Sequence, residues 1–95
     1  MDARISLITL GVADVARARA FYESLGWKAS SASQAEVAFF QAGGMALGLF
    51  SRAALAEDAH IKESGAGFGG ITLAQNVASE EAVDQLLEEA RRAGA

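Results

Sequence analysis

Two segments of this chain repeat one pattern, and this repeat constrains the fold more than any other feature of the sequence. Each begins with an Ile-Thr-Leu run, at Ile8 and again at Ile71, and continues into a helical pattern that ends near Gly26 or Gly94. A strand followed by one helix cannot bury its apolar side chains alone, so the duplication predicts two modules of one architecture. The first copy leads into further strand-like segments, whereas none follows the second before Ala95.

Composition limits the class of protein. The 95 residues are 52% hydrophobic and 21% charged, which is typical of a globular domain with a modest core and not of a disordered chain. A net charge of −4 argues against binding to a nucleic-acid backbone. The sequence has no cysteine, no recognisable secretory signal and no apolar run long enough to span a membrane. We therefore expect a cytoplasmic protein that binds neither nucleic acid nor membrane.

The first copy predicts a strand over residues 5–12 and a helix that begins at Asp14 and ends at Gly26. Alternation by two divides the strand into two faces, one with Ile8, Leu10 and Val12 and the other with Leu7, Thr9 and Gly11. An apolar stripe along the helix is formed by Val15, Ala18, Tyr22 and Leu25. Trp27 is expected to fold back over the end of this helix.

A β-hairpin is predicted after a short strand at residues 27–31. Its arms are residues 36–42 and 45–51, and the Gly43-Gly44 link between them indicates a type I′ turn. Both faces of the hairpin are largely apolar, so we expect the first helix on one side and a cavity, a second sheet or a partner on the other. The sequence leaves open which face would line a cleft.

The rest of the chain predicts a helical turn at residues 52–57, a glycine-rich segment at 64–70 and a fifth strand at 71–77. Ser79 then caps a helix whose buried face is marked by Val83, Leu86, Leu87 and Ala90. The expected organisation is a first module at 1–52, a variable linker at 53–67 and the start of a second module at 68–95.

Two phrases in the sequence are similar to those of a known family. They are V-x-D-V…A-x-A-F-Y-x-x-L-G-W from Val12 to Trp27, and G-G-I-T-L-A-Q-N-V…E-E-A-V-D-Q-L-L-E-E-A-R-R-A-G-A from Gly69 to Ala95. They resemble the vicinal oxygen chelate superfamily, which includes glyoxalase I, extradiol dioxygenases, fosfomycin-resistance enzymes and bleomycin-resistance proteins. The resemblance implies an α+β fold, with a βαβββ module, an incomplete second βα(βββ) module and a mixed curved sheet with helices on its outer face.

In that superfamily two modules surround a small-molecule cleft that often holds a divalent metal. The resemblance places the metal-ligand positions of this chain at Leu7, at Gly70 or its neighbour Gly69, and near Leu47 or Leu49. None of these residues has an imidazole or carboxylate. We therefore predict no metal cofactor and no catalytic residue, which favours a non-enzymatic role and leaves an enzyme as the alternative.

Other polar residues do not form a catalytic pattern. His60 is the single histidine and lies beside Asp58 in the variable middle, where a solvated side chain is expected. Glu57 and Glu63 are interpreted as surface charge, and Glu36 as the solvated start of a strand. The glycines at 65–70 precede a strand and lack a following Lys-Ser/Thr, which argues against a phosphate loop.

Three functions of different classes remain. The first is a metal-free binding protein, similar to bleomycin-resistance proteins, that holds a flat or apolar molecule in a sheet-lined cleft. The second is a metal-dependent lyase or dioxygenase with its ligands elsewhere, and the third is a non-catalytic assembly module. By resemblance, a homodimer is the expected partner arrangement. The residues predicted to line the cleft are Leu7, Thr9, Phe39, Phe40, Leu47, Leu49 and Thr72.

Overall fold

The structure, a computed structural model, describes residues 1–62, 69, 71 and 73–95. It divides into two units, Met1–Glu63 and Ser64–Ala95. The first contains β1 (Leu7–Val12), α1 (Val15–Ser24), β2 (Val37–Ala42), β3 (Met45–Ser51) and α2 (Arg52–Asp58), and the second contains α3 (Glu80–Arg92). Among the described residues, no helix is long and apolar enough to cross a membrane.

The three strands form a mixed sheet in the order β1-β3-β2, with β1 parallel and β2 antiparallel to β3. The predicted hairpin is confirmed, since Ala42 pairs with Met45 across the two-residue link. The type I′ prediction is wrong, because Gly43 has a positive φ of 67° and Gly44 does not. A positive φ at the first central position alone is typical of a type II′ turn.

Helix α1 covers one face of this sheet. Asp14 caps it as predicted, with Oδ1 accepting a hydrogen bond of 3.1 Å from the Arg17 amide. The fully enclosed centre of the core consists of Val15, Ala38, Phe40, Leu47 and Leu49. Partly buried side chains packed around it include Ile8, Leu10, Val12, Ala18, Tyr22 and Trp27. The α1 stripe and the Ile8 face of β1 therefore meet in one apolar layer, which hydrophobic burial stabilises.

Tyr22 lies within this layer, with its ring centroid 5.0 Å from that of Trp27 and 5.7 Å from that of Phe40. Burial raises the pKa of the Tyr22 hydroxyl above its ordinary value of about 10. Because the folded state holds this proton more tightly, stability is expected to fall as pH rises above 10. Tyr22 is the single tyrosine, so tyrosinate absorbance measures it directly. A pH midpoint of tyrosinate formation in the folded protein at or below that of the denatured chain would contradict the burial of Tyr22.

Each of the three helices in the described part of the chain ends in a Schellman motif, in which the chain turns through a left-handed residue. Gly26 (φ 91°) ends α1 and Gly94 (φ 110°) ends α3. The amide of Trp27 then donates to the Tyr22 carbonyl at 3.1 Å, as expected for a residue folding back over the helix. At the end of α2 the left-handed residue is His60, with φ 56°.

We predict that His60→Gly stabilises the first unit by about 0.5–1 kcal/mol. A side chain in the left-handed region costs roughly 1–2 kcal/mol, and the greater freedom of glycine in the unfolded chain offsets part of the gain. The check is the free energy of unfolding in urea. Ala59→Gly is the matched control, because Ala59 has an ordinary φ of −83° and should lose stability. If the free energy of unfolding fell in both variants, the backbone at His60 would not be strained.

The strand predicted at residues 27–31 is reduced to one bridge, between Ala29 and Phe40. The Ser30 amide donates to the Phe39 carbonyl at 2.7 Å, and the chain then turns. The amide of Phe39 donates instead to Oγ of Ser33 at 3.0 Å. This side-chain acceptor takes the place of a strand carbonyl along the outer edge of β2, which is why the pairing does not continue.

In the second unit, Ser79 caps α3 as predicted, and its Oγ accepts a hydrogen bond from the Ala82 amide at 3.1 Å. The Arg91 guanidinium, 2.6 Å from Glu88, lowers the pKa of that carboxyl, and Arg92 contributes at 3.2 Å.

The fifth strand predicted at 71–77 does not form at residues 71 and 73–77. The described part of this unit contains no strand with which these residues could exchange backbone hydrogen bonds. The side chains of Ile71, Leu73 and Val77 are exposed.

Candidate functional site

The face of the sheet away from α1, here called the distal face, is the candidate site. Strand register places its nine residues in three rows across β1, β3 and β2. These rows are Gly11-Phe50-Val37, Thr9-Gly48-Phe39 and Leu7-Ala46-Gln41. Every member is uncharged, and Thr9 and Gln41 supply the polar side chains. The distal face is therefore an apolar surface with few polar groups, the usual composition of a small-molecule site.

Gly48 occupies the centre of this surface. A Cβ at Gly48 would lie 3.3 Å from Thr9 Oγ1, 3.4 Å from Phe39 Cε1 and 3.5 Å from Leu7 Cδ1. Three neighbouring side chains thus lean over the glycine and bury it. Because Gly48 has no side chain of its own, Leu7, Thr9 and Phe39 form the surface at the centre of the distal face, here called the floor.

Aromatic rings border the floor on the β2 side. Phe39 and Phe50 are arranged edge to face, with centroids 6.3 Å apart and planes at 74°. Gln41 does not turn toward the floor, because its amide nitrogen donates to the carbonyl of Gly43 at 2.7 Å. The hydroxyl of Thr9 is consequently the polar group beside the glycine, and it can donate one hydrogen bond and accept others.

Helix α2 lies over one end of the distal face. At Gly11 a Cβ would be 3.2 Å from Arg52 Cγ and 3.2 Å from Leu55 Cδ2, so the helix approaches β1 closely where the strand has no side chain. Ser51 caps this short helix by accepting a hydrogen bond from the Ala54 amide at 3.1 Å. Arg52 also donates a long hydrogen bond of 3.4 Å from Nε to the Gly11 carbonyl. The distal face therefore has one covered end with a positive charge.

Three of the predicted cleft residues share this face and three do not. Leu7, Thr9 and Phe39 come together around Gly48. The placement of the others is wrong, because the register turns them toward α1 and into the core, where their exposed fractions are small: Phe40 1%, Leu47 5% and Leu49 0%. Thr72 lies outside the described residues.

The donor chemistry of the distal face does not fit a divalent metal. Leu7 lies on this face as an apolar side chain, 45% exposed. The positions on β3 that share its face are Ala46, Gly48 and Phe50, because Leu47 and Leu49 are turned into the core. The described residues contain no group of three or more His, Asp or Glu side chains placed to bind a metal. The nine residues of the distal face are therefore suited to apolar contact and not to metal coordination.

Sequence reasoning missed Gly48, Phe50 and Arg52 as members of the site. A glycine inside a strand pattern is a signal of close approach, and this would have identified Gly48. Phe50 would follow once Gly48 was assigned to the distal face, because the two are separated by one residue. Arg52 could not be found in this way, since its position depends on how α2 packs on Gly11.

The sequence and the fold of this chain are similar to those of known proteins. The sequence profile of the Glyoxalase/Bleomycin resistance protein/Dioxygenase superfamily matches residues 4–95. A glyoxalase-related enzyme from Fulvimarina pelagi is similar in structure, with a TM-score of 0.80 and 31% sequence identity. The match covers 97% of this chain and 66% of that one, so this chain spans just under two thirds of its length. The comparison with curated proteins finds no match.

Two further solved structures share the fold at lower identity. A glyoxalase/bleomycin resistance protein/dioxygenase family enzyme from Burkholderia phytofirmans has a TM-score of 0.79 and 24% identity, with 94% of this chain and 72% of that chain covered. A lactoylglutathione lyase from Agrobacterium tumefaciens has a TM-score of 0.57 and 19% identity, with 96% and 70% covered. At these identities the likeness concerns the fold.

Proposed function

Because the chain belongs to the Glyoxalase/Bleomycin resistance protein/Dioxygenase superfamily, we propose that it binds a small, flat apolar or aromatic molecule on the distal face without a metal held by that face. The observation that carries this proposal is the apolar floor around Gly48. A Cβ at Gly48 would lie 3.3–3.5 Å from atoms of Leu7, Thr9 and Phe39, so these three side chains meet over a position that has no side chain of its own. A flat ligand can therefore lie across the floor and bury apolar area on both partners.

The aromatic border and the single hydroxyl would orient such a ligand. The Phe39 and Phe50 rings, edge to face at 6.3 Å, offer a ring edge or face to a planar guest. Thr9 Oγ1, beside the centre of the floor, would hydrogen bond to one polar substituent. Few polar contacts on a mainly apolar surface give orientation without a large desolvation cost.

A thermal-shift panel tests this function. We would use naphthalene, quinoline and indole, each as a carboxylate and as the matching primary carboxamide. Several members are expected to raise the unfolding midpoint of the intact chain, because ligands that bind the folded state stabilise it by mass action, by about 2.7 kcal/mol at a concentration 100 times Kd. If no member of either series shifts the midpoint at its solubility limit, the proposed function is wrong.

The metal-dependent alternative makes a different prediction. A lyase or dioxygenase of this family would need metal donors from outside the distal face, because its residues on β1, β2 and β3 have neither carboxylate nor imidazole. We expect elemental analysis of the intact purified protein to find no stoichiometric divalent metal. One equivalent of bound metal that survives dialysis would favour the alternative.

Self-association is proposed alongside binding. Among the described residues, the order β1-β3-β2 leaves β1 at an edge of the sheet, with Leu7 in this strand and Ile5 just before it both exposed. The other edge is different, because residues 29–34 already hydrogen bond to β2. Edge strands favour pairing with another strand, so a second copy of the chain is the expected partner at β1. Light scattering across a range of concentrations should detect a dimer, and a monomer throughout would contradict this proposal.

A further inference from the structure

Helix α2 places one cationic side chain at the border of the distal face. The Arg52 stem lies across Gly11, with Cγ 3.2 Å from the position where a Cβ would be. Gly11 pairs with Phe50, in the row next to Thr9 and Gly48. Two residues along a strand span about 7 Å, so the guanidinium region and the floor are within reach of one small molecule.

The guanidinium retains unused hydrogen-bonding capacity. Nε of Arg52 donates to the Gly11 carbonyl at 3.4 Å, a long and weak bond that involves neither terminal nitrogen. Among the described residues, Arg52 has no carboxylate within ion-pairing distance, whereas Arg19, Arg91 and Arg92 each pair with a glutamate. Arg52 is also exposed to solvent, so its two terminal nitrogens are accessible to a ligand at the covered end of the face.

No charge on the distal face opposes this cation. All nine residues are uncharged, and Arg52 brings a positive charge against the face at Gly11. The chain as a whole carries a net charge of −4. Arg52 nevertheless places a positive charge beside this apolar surface. A planar guanidinium fork matches the two oxygens of a carboxylate.

We propose that the ligand of the distal face is an aromatic or apolar carboxylate, whose body lies on the floor at Gly48 and whose anionic group binds Arg52. This inference rests on the proposed function, since it names the chemical class of the molecule bound at the same site. The apolar floor supplies the area buried, and Arg52 selects the anion and fixes the direction in which the molecule lies.

The test compares each carboxylate of the panel with its carboxamide, which has the same shape and no charge. By titration calorimetry at low salt, we expect the carboxylates to bind about five- to tenfold more tightly, a modest factor because Arg52 is exposed to water. Arg52→Gln should remove this preference by weakening carboxylate binding more than carboxamide binding. Arg17→Gln changes the net charge equally on α1, across the sheet, and should preserve the preference.

The outcomes separate the two proposals. Equal binding of carboxylates and carboxamides to the wild-type chain would overturn the anion proposal while the proposed function stands. A carboxylate preference that survives Arg52→Gln would also overturn it, because the cation would then lie elsewhere. A preference lost equally in Arg17→Gln would indicate a general charge effect and count against Arg52. Binding by neither series removes the proposed function itself.

Discussion

Replacing Phe40 with alanine is expected to lower the free energy of unfolding by about 3–5 kcal/mol. Phe40 is 1% exposed, and its ring centroid lies 5.7 Å from that of Tyr22 and 6.1 Å from that of Trp27. Loss of the ring removes its buried apolar area and leaves a cavity that α1 and the sheet cannot fully close. Since small domains have only about 5–15 kcal/mol of stability, this change alone threatens the fold.

Phe39→Ala is the matched control, because it removes the same ring from the adjacent position on the opposite face. Phe39 is partly exposed on the distal face, so we expect a cost of about 1–2 kcal/mol. Urea unfolding of both variants measures the difference. Equal costs, or a larger cost at Phe39, would contradict the assignment of faces on which the candidate site depends.

Gly48→Leu is expected to abolish binding of the aromatic panel and to cost about 1–3 kcal/mol in stability. The new side chain must displace Thr9, Leu7 and Phe39, which already lie within 3.3–3.5 Å of its Cβ position. Its outer carbons would then project from the centre of the floor and prevent a flat molecule from lying there. The affinity loss would exceed that of any border substitution, since the whole contact area is affected.

Gly44→Leu adds the same side chain at a position where it should have little effect. Nothing lies within 4 Å of a Cβ at Gly44, and its φ is not in the left-handed region. Wild-type affinity for the panel is therefore expected in this variant. Gly48→Ala provides a second check, because its single methyl fits at slightly tight contact and should bind with reduced affinity. Binding by Gly48→Leu at wild-type strength would mean that the ligand lies elsewhere.

The sequence predicted the elements of the first unit more accurately than the faces of its sheet. Residues 45–51 form the expected strand, and Asp14 caps α1 as predicted. Alternation within β3 correctly grouped Leu47 with Leu49. It could not show which group faces α1, because both faces of the hairpin are apolar and the choice depends on register with β1.

The remaining differences depend on contacts that strand and helix patterns do not encode. The strand predicted at 27–31 gave way to a turn because Ser33 supplies an acceptor to Phe39. Arg52 reached the candidate site because Gly11 admits α2, and no local pattern encodes that contact. Both events involve side chains that meet only after the sheet has formed.

The most direct test of the account is amide chemical-shift mapping with naphthalene-2-carboxamide, whose lack of charge isolates the floor from Arg52. We predict that the largest shifts occur at Thr9, Gly48 and Phe39 on the distal face, and that Ala18 on α1 is unaffected. Shifts that saturate with a single affinity would identify one site. Saturable binding with its largest shifts on α1, or with no shift at Gly48, would contradict the claim that the distal face is the binding surface.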